Sequence, residues 1–357
     1  MHLGTSITPF GHHLAAWQKN GSVNALRFDR ISEQVKRAQD AKLDFVLFAD
    51  NFGHRPVKNL SAQTVPFEPT TLIAALATMA GKIGLIASAA MDQHEPYNLA
   101  RRFASLDTIS HGRTGWNYIA ASASAKAAEY IDVVSRLWDS WEDDAFVYDK
   151  NEGRFFLPQK MHVLNHVGEN FTVRGPLNVN RSPQAKPVVA TLLRSQTLEL
   201  AAQKAEVIFL DVSSPEELKS TLTNFHEALD RTGRKRSDIK ILVNIVPYIG
   251  ETKNEANKLR QELSGLIEVN EQTSGIELVG TAQAIADQLE KWSELVEGFI
   301  SLSPFLPNGR DPFIESVVPE LQKRSIFRSE YAGQTLREHL SLPRPAHPAT
   351  AMTEQAS

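Results

Sequence analysis

Eight times along this chain a short apolar run gives way to a stretch whose apolar residues recur three and four positions apart. Leu43–Ala49 and Ile83–Ala87 are continuous apolar runs without alternation, which suits strands covered on both faces, as in a parallel sheet. Between them, Phe28, Ile31, Val35 and Ala38, then Leu72, Leu76 and Met79, each draw one apolar stripe along a helix. Leu99, Phe103 and Leu106 do the same before Ser110-His111-Gly112 breaks the helix and Arg113–Ile119 extends. Strand runs at His2–Thr8, Pro187–Thr191, Val207–Leu210, Ile239–Val246 and Gly298–Leu302 complete the series. Strand and helix in regular alternation predict βαβ units, and eight repeats are the number of a (β/α)8 TIM barrel.

Two stretches break the rhythm. Residues 145–184, after strand four and its helix, are rich in Gly, Pro, Asn and aromatic residues and are expected to form an insertion carrying a small hairpin. A polar helical insertion is expected near Asn254–Val269, within 251–278, after strand seven. A barrel takes roughly 250 residues before insertions, so 357 residues make one domain over 1–342, with a flexible Pro/Ala-rich tail at 343–357.

A net charge of −4 supplies no basic field for a nucleic-acid backbone. The one dense basic run, Arg231–Arg236, reads as a solvated turn stopped by Gly233, or as a local anion contact. The absence of cysteine excludes disulfides, thiolate metal sites and cysteine nucleophiles. No histidine pair at i,i+4 has an acidic partner, so no metal site is expected. No apolar run approaches the ~18 residues of a membrane span and the N-terminus lacks a signal-peptide layout, which leads to the expectation of a cytoplasmic protein with no membrane partner.

In a barrel the chemistry collects just after the strands, at their C-terminal ends. Those positions hold His12 and His13, Asp50 and Asn51, Ser88, Asn117 and Tyr118, Thr191 to Ser195, and Ser301 and Ser303. His12 and His13 are adjacent, so only one is expected to face the mouth; the other reading of either is a loop cap or a hydrogen-bonded core residue. Asp50 is either a polar ligand contact or the centre of an Asx-turn. No Gly-rich phosphate cradle is present, against Walker-type and dinucleotide Rossmann enzymes. Arg101 and Arg102 are read as structural ion-pair residues, and Trp138 and Trp141 as core or interface packing.

The run PYNLARRFASLDTISHGRTGWN (Pro96–Asn117) resembles the flavin-dependent monooxygenases of the bacterial-luciferase superfamily. The similarity extends through FADNFG (Phe48–Gly53), FEPTTLIAALA (Phe67–Ala77), LWDSWEDDAFVYDKNEG (Leu137–Gly153), FTVRGPLNVNRSPQAKPVV (Phe171–Val189), VGTAQAIADQL (Val279–Leu289) and Val317–Pro345. It falls in the branch that holds nitrilotriacetate, long-chain alkane and dibenzothiophene-sulfone monooxygenases. The resemblance implies a homodimeric or tetrameric TIM barrel that takes reduced FMN from a separate flavin reductase and oxygenates a small organic substrate with O2. It implies that Asp50 and Ser88 lie beside the flavin ring, that Asn117 contacts it, and that His12 faces the substrate. Ser88 stands where the family has threonine.

Three departures fall on the phosphate side of that site. The family's WNVVTS reads WNYIAAS, so Ala120 and Ala121 have lost hydroxyls; a tyrosine-bearing segment is largely absent between Ser122 and Glu129; and a Gly-Ser-Ser turn has become Leu192-Leu193-Arg194. The segment after strand seven is also shortened. Arg194, beside a helix start expected near Ser195, is the candidate replacement for the lost phosphate contacts. The competing readings are a barrel that binds a small molecule without tight FMN binding, either degenerate or cofactor-independent, and a flavin- or deazaflavin-linked dehydrogenase.

Overall fold

The computed structural model describes residues 1–20, 26–50, 67–266 and 275–350. Eight parallel strands form a closed ring in chain order: β1 His2–Ser6, β2 Phe45–Phe48, β3 Gly84–Ala90, β4 Thr114–Ile119, β5 Val188–Leu192, β6 Val207–Leu210, β7 Lys240–Ile249 and β8 Gly298–Ser301. Each strand pairs with its neighbours in the sequence, and β8 pairs with β1 to close the ring. The expected (β/α)8 barrel is therefore the observed one. Helices on the outside are started by residues that accept from their own first-turn amides: Glu68 from Thr70 and Thr71, Ser124 from Ala127, Ser214 from Glu217, and Thr281 from Ala284.

The strand period of two sorts side chains into two cores. On β2, Val46 and Phe48 join the outer layer beneath the helices, whereas Phe45 and Leu47 join the barrel interior with Ile86, Val188, Ala190, Val207, Phe209, Leu242, Val246 and Ile300. Gly4 makes this possible, because a Cβ there would lie 2.4 Å from the Phe45 ring. Leu336, Leu340 and Leu342 also belong to the interior cluster, and Leu336 sits so close under Gly84 that a Cβ at Gly84 would be 2.5 Å from it. The C-terminal segment thus plugs the N-terminal end of the barrel.

The plug is fastened by buried polar groups. The Arg337 guanidinium donates to both carboxylate oxygens of Glu206, at 2.7 and 2.9 Å, and to the carbonyls of Lys186 and Pro343. Asp107, on the helix Pro96–Ile109, accepts from the Thr114 amide at 2.9 Å, from Gln184 Nε2 at 2.7 Å and from the Ser182 hydroxyl. Arg113 spends its guanidinium on the carbonyls of Ser110, Ile83 and Ala77.

Burial pushes the Asp107 carboxyl up to about 6, against the hydrogen bonds that pull it down. An unfolded Asp titrates near 3.8, so between about pH 4 and 6 the native state binds more protons and the unfolding free energy falls as pH rises. In Asp107→Asn, whose amide can keep the same partners with the Ser182 hydroxyl turned to accept, this contribution is expected to vanish and the fall to become shallower, leaving the share of Asp311, which burial also pushes up to about 6. Urea midpoints of both proteins from pH 4 to 6.5 check it; parallel profiles would rule it out.

Several expectations are revised by the fold. The insertion at 145–184 carries two hairpins, Phe146–Asp149 with Arg154–Phe156 and His166–Val167 with Thr172–Val173. The polar insertion begins as the helix Lys253–Ser264 but ends in a ninth strand, Ile276–Gly280, which pairs with the far half of β7 outside the ring. Its signal was local: Ile276 and Leu278 are buried while Glu277 is exposed. Arg236 Nη2 donates to both carboxylate oxygens of Glu297, at 2.8 and 2.9 Å, so the basic run is pinned rather than simply solvated. Trp138 and Trp141, in contrast, are buried as their reading as packing residues expects, and donate to the Ala100 and Leu177 carbonyls. Of the tail expected to be flexible, residues 343–350 pack onto the body: Arg344 binds Asp143, and His347 is buried. Residues 351–357, like Asn51 and the rest of 51–66, lie outside the described residues. No helix among the described residues is long and apolar enough to cross a membrane.

Candidate active site

Following the inward side of each strand one step past its apolar residue leads to the mouth of the barrel. Gly4 is followed by Ser6 and Thr8, Leu47 by Ala49, Ile86 by Ser88, Gly115 by Asn117, Phe209 by Asp211, and Leu242 by Asn244. Ser6, Thr8, Ala49, Ser88, Asn117, Asp211 and Asn244 all line one cavity of about 280 Å³ at the C-terminal end of the strands. Ile7, Leu47, Leu192, Phe209, Val246 and Leu302 supply its apolar wall. A concave, largely apolar chamber with a few polar groups is the usual form of a small-molecule site.

Ser88 and Asn117 face each other because β3 and β4 are in register at that pair. Asn117 Nδ2 donates to Ser88 Oγ at 2.7 Å, while Asn117 Oδ1 is buried in the wall without a hydrogen-bond partner. A buried amide acceptor left unpaired costs about 1–3 kcal/mol. A ligand N–H entering the cavity would satisfy it.

His12 is the histidine in the wall. Its amide donates to Ser303 O at 2.8 Å, and its Nε2 lies 2.9 Å from the Ser6 carbonyl, a contact that requires the proton on Nε2. Burial lowers its pKa, with the Ser6 bond working in the opposite direction. The ring is therefore neutral at pH 7, with Nδ1 left as the acceptor. His13, also expected as a catalytic candidate, is not in the wall: it is 2% exposed and its Nδ1 accepts from the Ala15 amide at 3.2 Å. It caps the start of a loop turn.

Asp50 and Arg194 both line the cavity. The Arg194 side chain is exposed and makes no ion pair among the described residues. Ser195 does not join it, since its hydroxyl is turned to Gln196 Oε1 at 3.2 Å. The helix expected to begin near Ser195 opens instead as a short 3-10 turn, Ser195–Thr197, and the α-helix covers only Leu198–Lys204. Arg194 stands at this rim without a long helix behind it.

Beside this chamber a second cavity of about 390 Å³ is lined by Asp92, His94, Glu95, Ser122, Lys126 and Phe171, and it shares Ile119 and Ala120 with the first. It opens where the segment between Ser122 and Glu129 is short. Thr8, Asp211 and Asn244 were not singled out from sequence. Continuing the two-residue alternation beyond each apolar run would have found them.

The chamber, its unpaired amide oxygen and the unpaired guanidinium at its rim suit a planar heteroaromatic ring with N–H groups and an anionic tail. Comparison with known proteins points the same way. The family described as luciferase-like monooxygenase matches residues 7–267. The N-acetyl-S-(2-succino)cysteine monooxygenase of Bacillus subtilis is 33% identical, with 97% of each chain covered. Nitrilotriacetate monooxygenase component A of Aminobacter aminovorans is likewise 33% identical with 97% of each covered. These alignments span 429 and 439 positions against 357 residues here, so both relatives carry segments this chain lacks. A riboflavin lyase, whose structure holds modified FMN and riboflavin, superimposes with a TM-score of 0.83 at 25% identity, covering 98% of this chain and 99% of its own.

Proposed function

The chain belongs to the luciferase-like monooxygenase family, and on that footing we propose that it is the oxygenase of a two-component system. In this reading it takes reduced FMN from a partner reductase, works as a homo-oligomer, and transfers one atom of O2 to a small organic substrate, the other leaving as water. The bound reduced flavin supplies the electrons and the oxygen activation. The protein supplies position, exclusion of water and proton placement.

The observation that carries this reading is the Asn117 amide in the cavity wall, whose Nδ2 donates to Ser88 and whose buried Oδ1 has no partner and would accept from a ring N–H. The apolar wall from Ile7 to Leu302 keeps water from the reacting face. His12, neutral and anchored to Ser6 O through Nε2, offers Nδ1 to accept a hydrogen bond or a proton from substrate. Arg194 is assigned the phosphate, which the loss of hydroxyls at Ala120 and Ala121 has left with fewer neutral donors. Asp50 contributes a carboxylate beside the ring.

Anaerobic titration with reduced FMN and reduced riboflavin tests the assignment. Arg194→Ala is expected to weaken FMN binding by about tenfold, the value of an exposed charge-assisted contact of roughly 1–2 kcal/mol, while leaving riboflavin binding unchanged. Equal loss for both ligands would remove Arg194 from the phosphate. Failure of the wild type to bind any flavin would favour a barrel that holds a different small molecule, which the missing phosphate-side segments also suit.

A further inference from the structure

Far from the barrel mouth in sequence and role, Glu142, His162 and His347 bring one carboxylate and two imidazoles together, with their ligand atoms all within 4.8 Å of one another. We propose that this cluster binds a divalent transition-metal ion of the zinc type and thereby clips the C-terminal segment onto the insertion that follows the fourth barrel strand and its helix.

The scaffold for such a site is already built. Trp141 and Met161 form an antiparallel bridge, and the Glu142 amide donates to Lys160 O at 3.1 Å and the His162 amide to Ser140 O at 2.8 Å. Glu142 and His162 are thus fixed on neighbouring strands of backbone. The third ligand arrives on a segment tied down just before it: Arg344 reaches Asp143 at 2.5 and 2.9 Å and Pro183 O at 2.8 Å, and Arg181 reaches Pro345 O at 3.0 Å.

The protonation pattern suits metal as well. His347 Nε2 lies 3.0 Å from Asp139 O and must donate to it, which leaves the lone pair on Nδ1. A metal-bound histidine normally donates its other nitrogen to a carbonyl or carboxylate in this way. Nδ1 now accepts only the Ala349 amide, at 3.2 Å. His162 Nε2 and Glu142 Oε1 share a proton at 2.9 Å, and the ion would take that proton's place. In a tetrahedral zinc site, bonds of about 2.0–2.1 Å put ligand atoms roughly 3.3 Å apart. The His162 and His347 rings lie 4.9 Å apart at 33°, so the His162 ring, whose side chain is 38% exposed, would have to turn for both lone pairs to meet one ion.

Among the described residues Lys160 brings an opposing charge 3.9 Å from Glu142 Oε2, but its ammonium is also paired with Asp144. Two nitrogens and one oxygen, with no thiolate anywhere in the chain, favour zinc, nickel or copper over magnesium or calcium.

The test is titration of the untagged full-length protein, stripped with a chelator, with Zn2+ alone and with Co2+, whose visible absorption reports tetrahedral coordination. One ion per chain is expected, together with a higher melting temperature in Zn2+ and no effect of Mg2+. His347→Gln and His162→Gln should each weaken Zn2+ binding by about a hundredfold or more, beyond the tenfold to hundredfold effect of losing a supporting contact. His162→Gln is the more exposed change and serves if His347→Gln compromises folding. Absence of Zn2+ binding by the wild type, or binding that survives both substitutions, overturns the proposal.

Discussion

Asn117→Leu is expected to weaken binding of the reduced flavin by about 10- to 100-fold without lowering the stability of the empty protein. The affinity loss follows from removing a buried acceptor whose hydrogen bond to the ligand is worth roughly 1.5–3 kcal/mol when desolvated. Stability should hold or rise, because Oδ1 is buried without a partner in the ligand-free protein, and leucine keeps the same branching while the cavity that Asn117 lines can take up its larger volume. Ser88 Oγ loses the Nδ2 donor, which limits the gain. Opposite signs for affinity and stability identify a group kept for function rather than folding. The measurement pairs anaerobic flavin titration with urea unfolding of the same variant. If stability falls and flavin affinity is unchanged, Asn117 is a structural residue and the flavin site lies elsewhere.

Arg337→Met is expected to cost about 3 kcal/mol of unfolding free energy, the low end of the penalty for stranding a buried carboxylate, because the Glu206 side chain keeps 23% exposure. Arg337 is 2% exposed, and its fork reaches both oxygens of Glu206. Burial pushes the Glu206 carboxyl up, but the Arg337 charge and hydrogen bonds outweigh it and hold it below the ordinary range, so the glutamate is ionised in the native state. Arg337→Lys should not rescue the loss, since a point ammonium cannot fork onto Glu206 and also reach the Lys186 and Pro343 carbonyls. The double variant Arg337→Met, Glu206→Gln should recover much of it by removing the stranded charge. Urea unfolding of the four proteins checks this, and a single-variant loss below about 1 kcal/mol would show that water reaches the pair. Because Leu336 seals the barrel floor next to Arg337, any loss should extend to the packing beneath Gly84.

The residues that make the family resemblance so plain are, for the most part, structural. In the run Pro96–Asn117, Asp107 ties the helix to Thr114 and Gln184, Arg113 fastens three carbonyls, and Trp116 and Phe103 pack in the outer core. Asn117 alone in that run lines the cavity. A recognisable sequence pattern therefore located the site mainly by locating the strand that ends in it.

The order of apolar runs along the chain determined the barrel, because each run is short, continuous and followed by a one-faced helix, and such units can bury themselves only as a parallel sheet wrapped in helices. It also determined that Asp50, Ser88 and Asn117 would meet, since residues at the C-terminal ends of strands converge on one rim. Periodicity could not decide which neighbour of an adjacent pair faces inward; the resemblance pointed to His12 over His13, and where the chain leaves β1 places it in the wall. Tertiary structure alone decided that the segment at 343–350 is held rather than loose, because Leu342, Arg344 and His347 find partners far away in sequence. It also brought Glu142, His162 and His347 together, which lie too far apart along the chain for any local spacing to pair them. Period and spacing describe a strand or helix, which are local; contacts across two hundred residues belong to the folded chain.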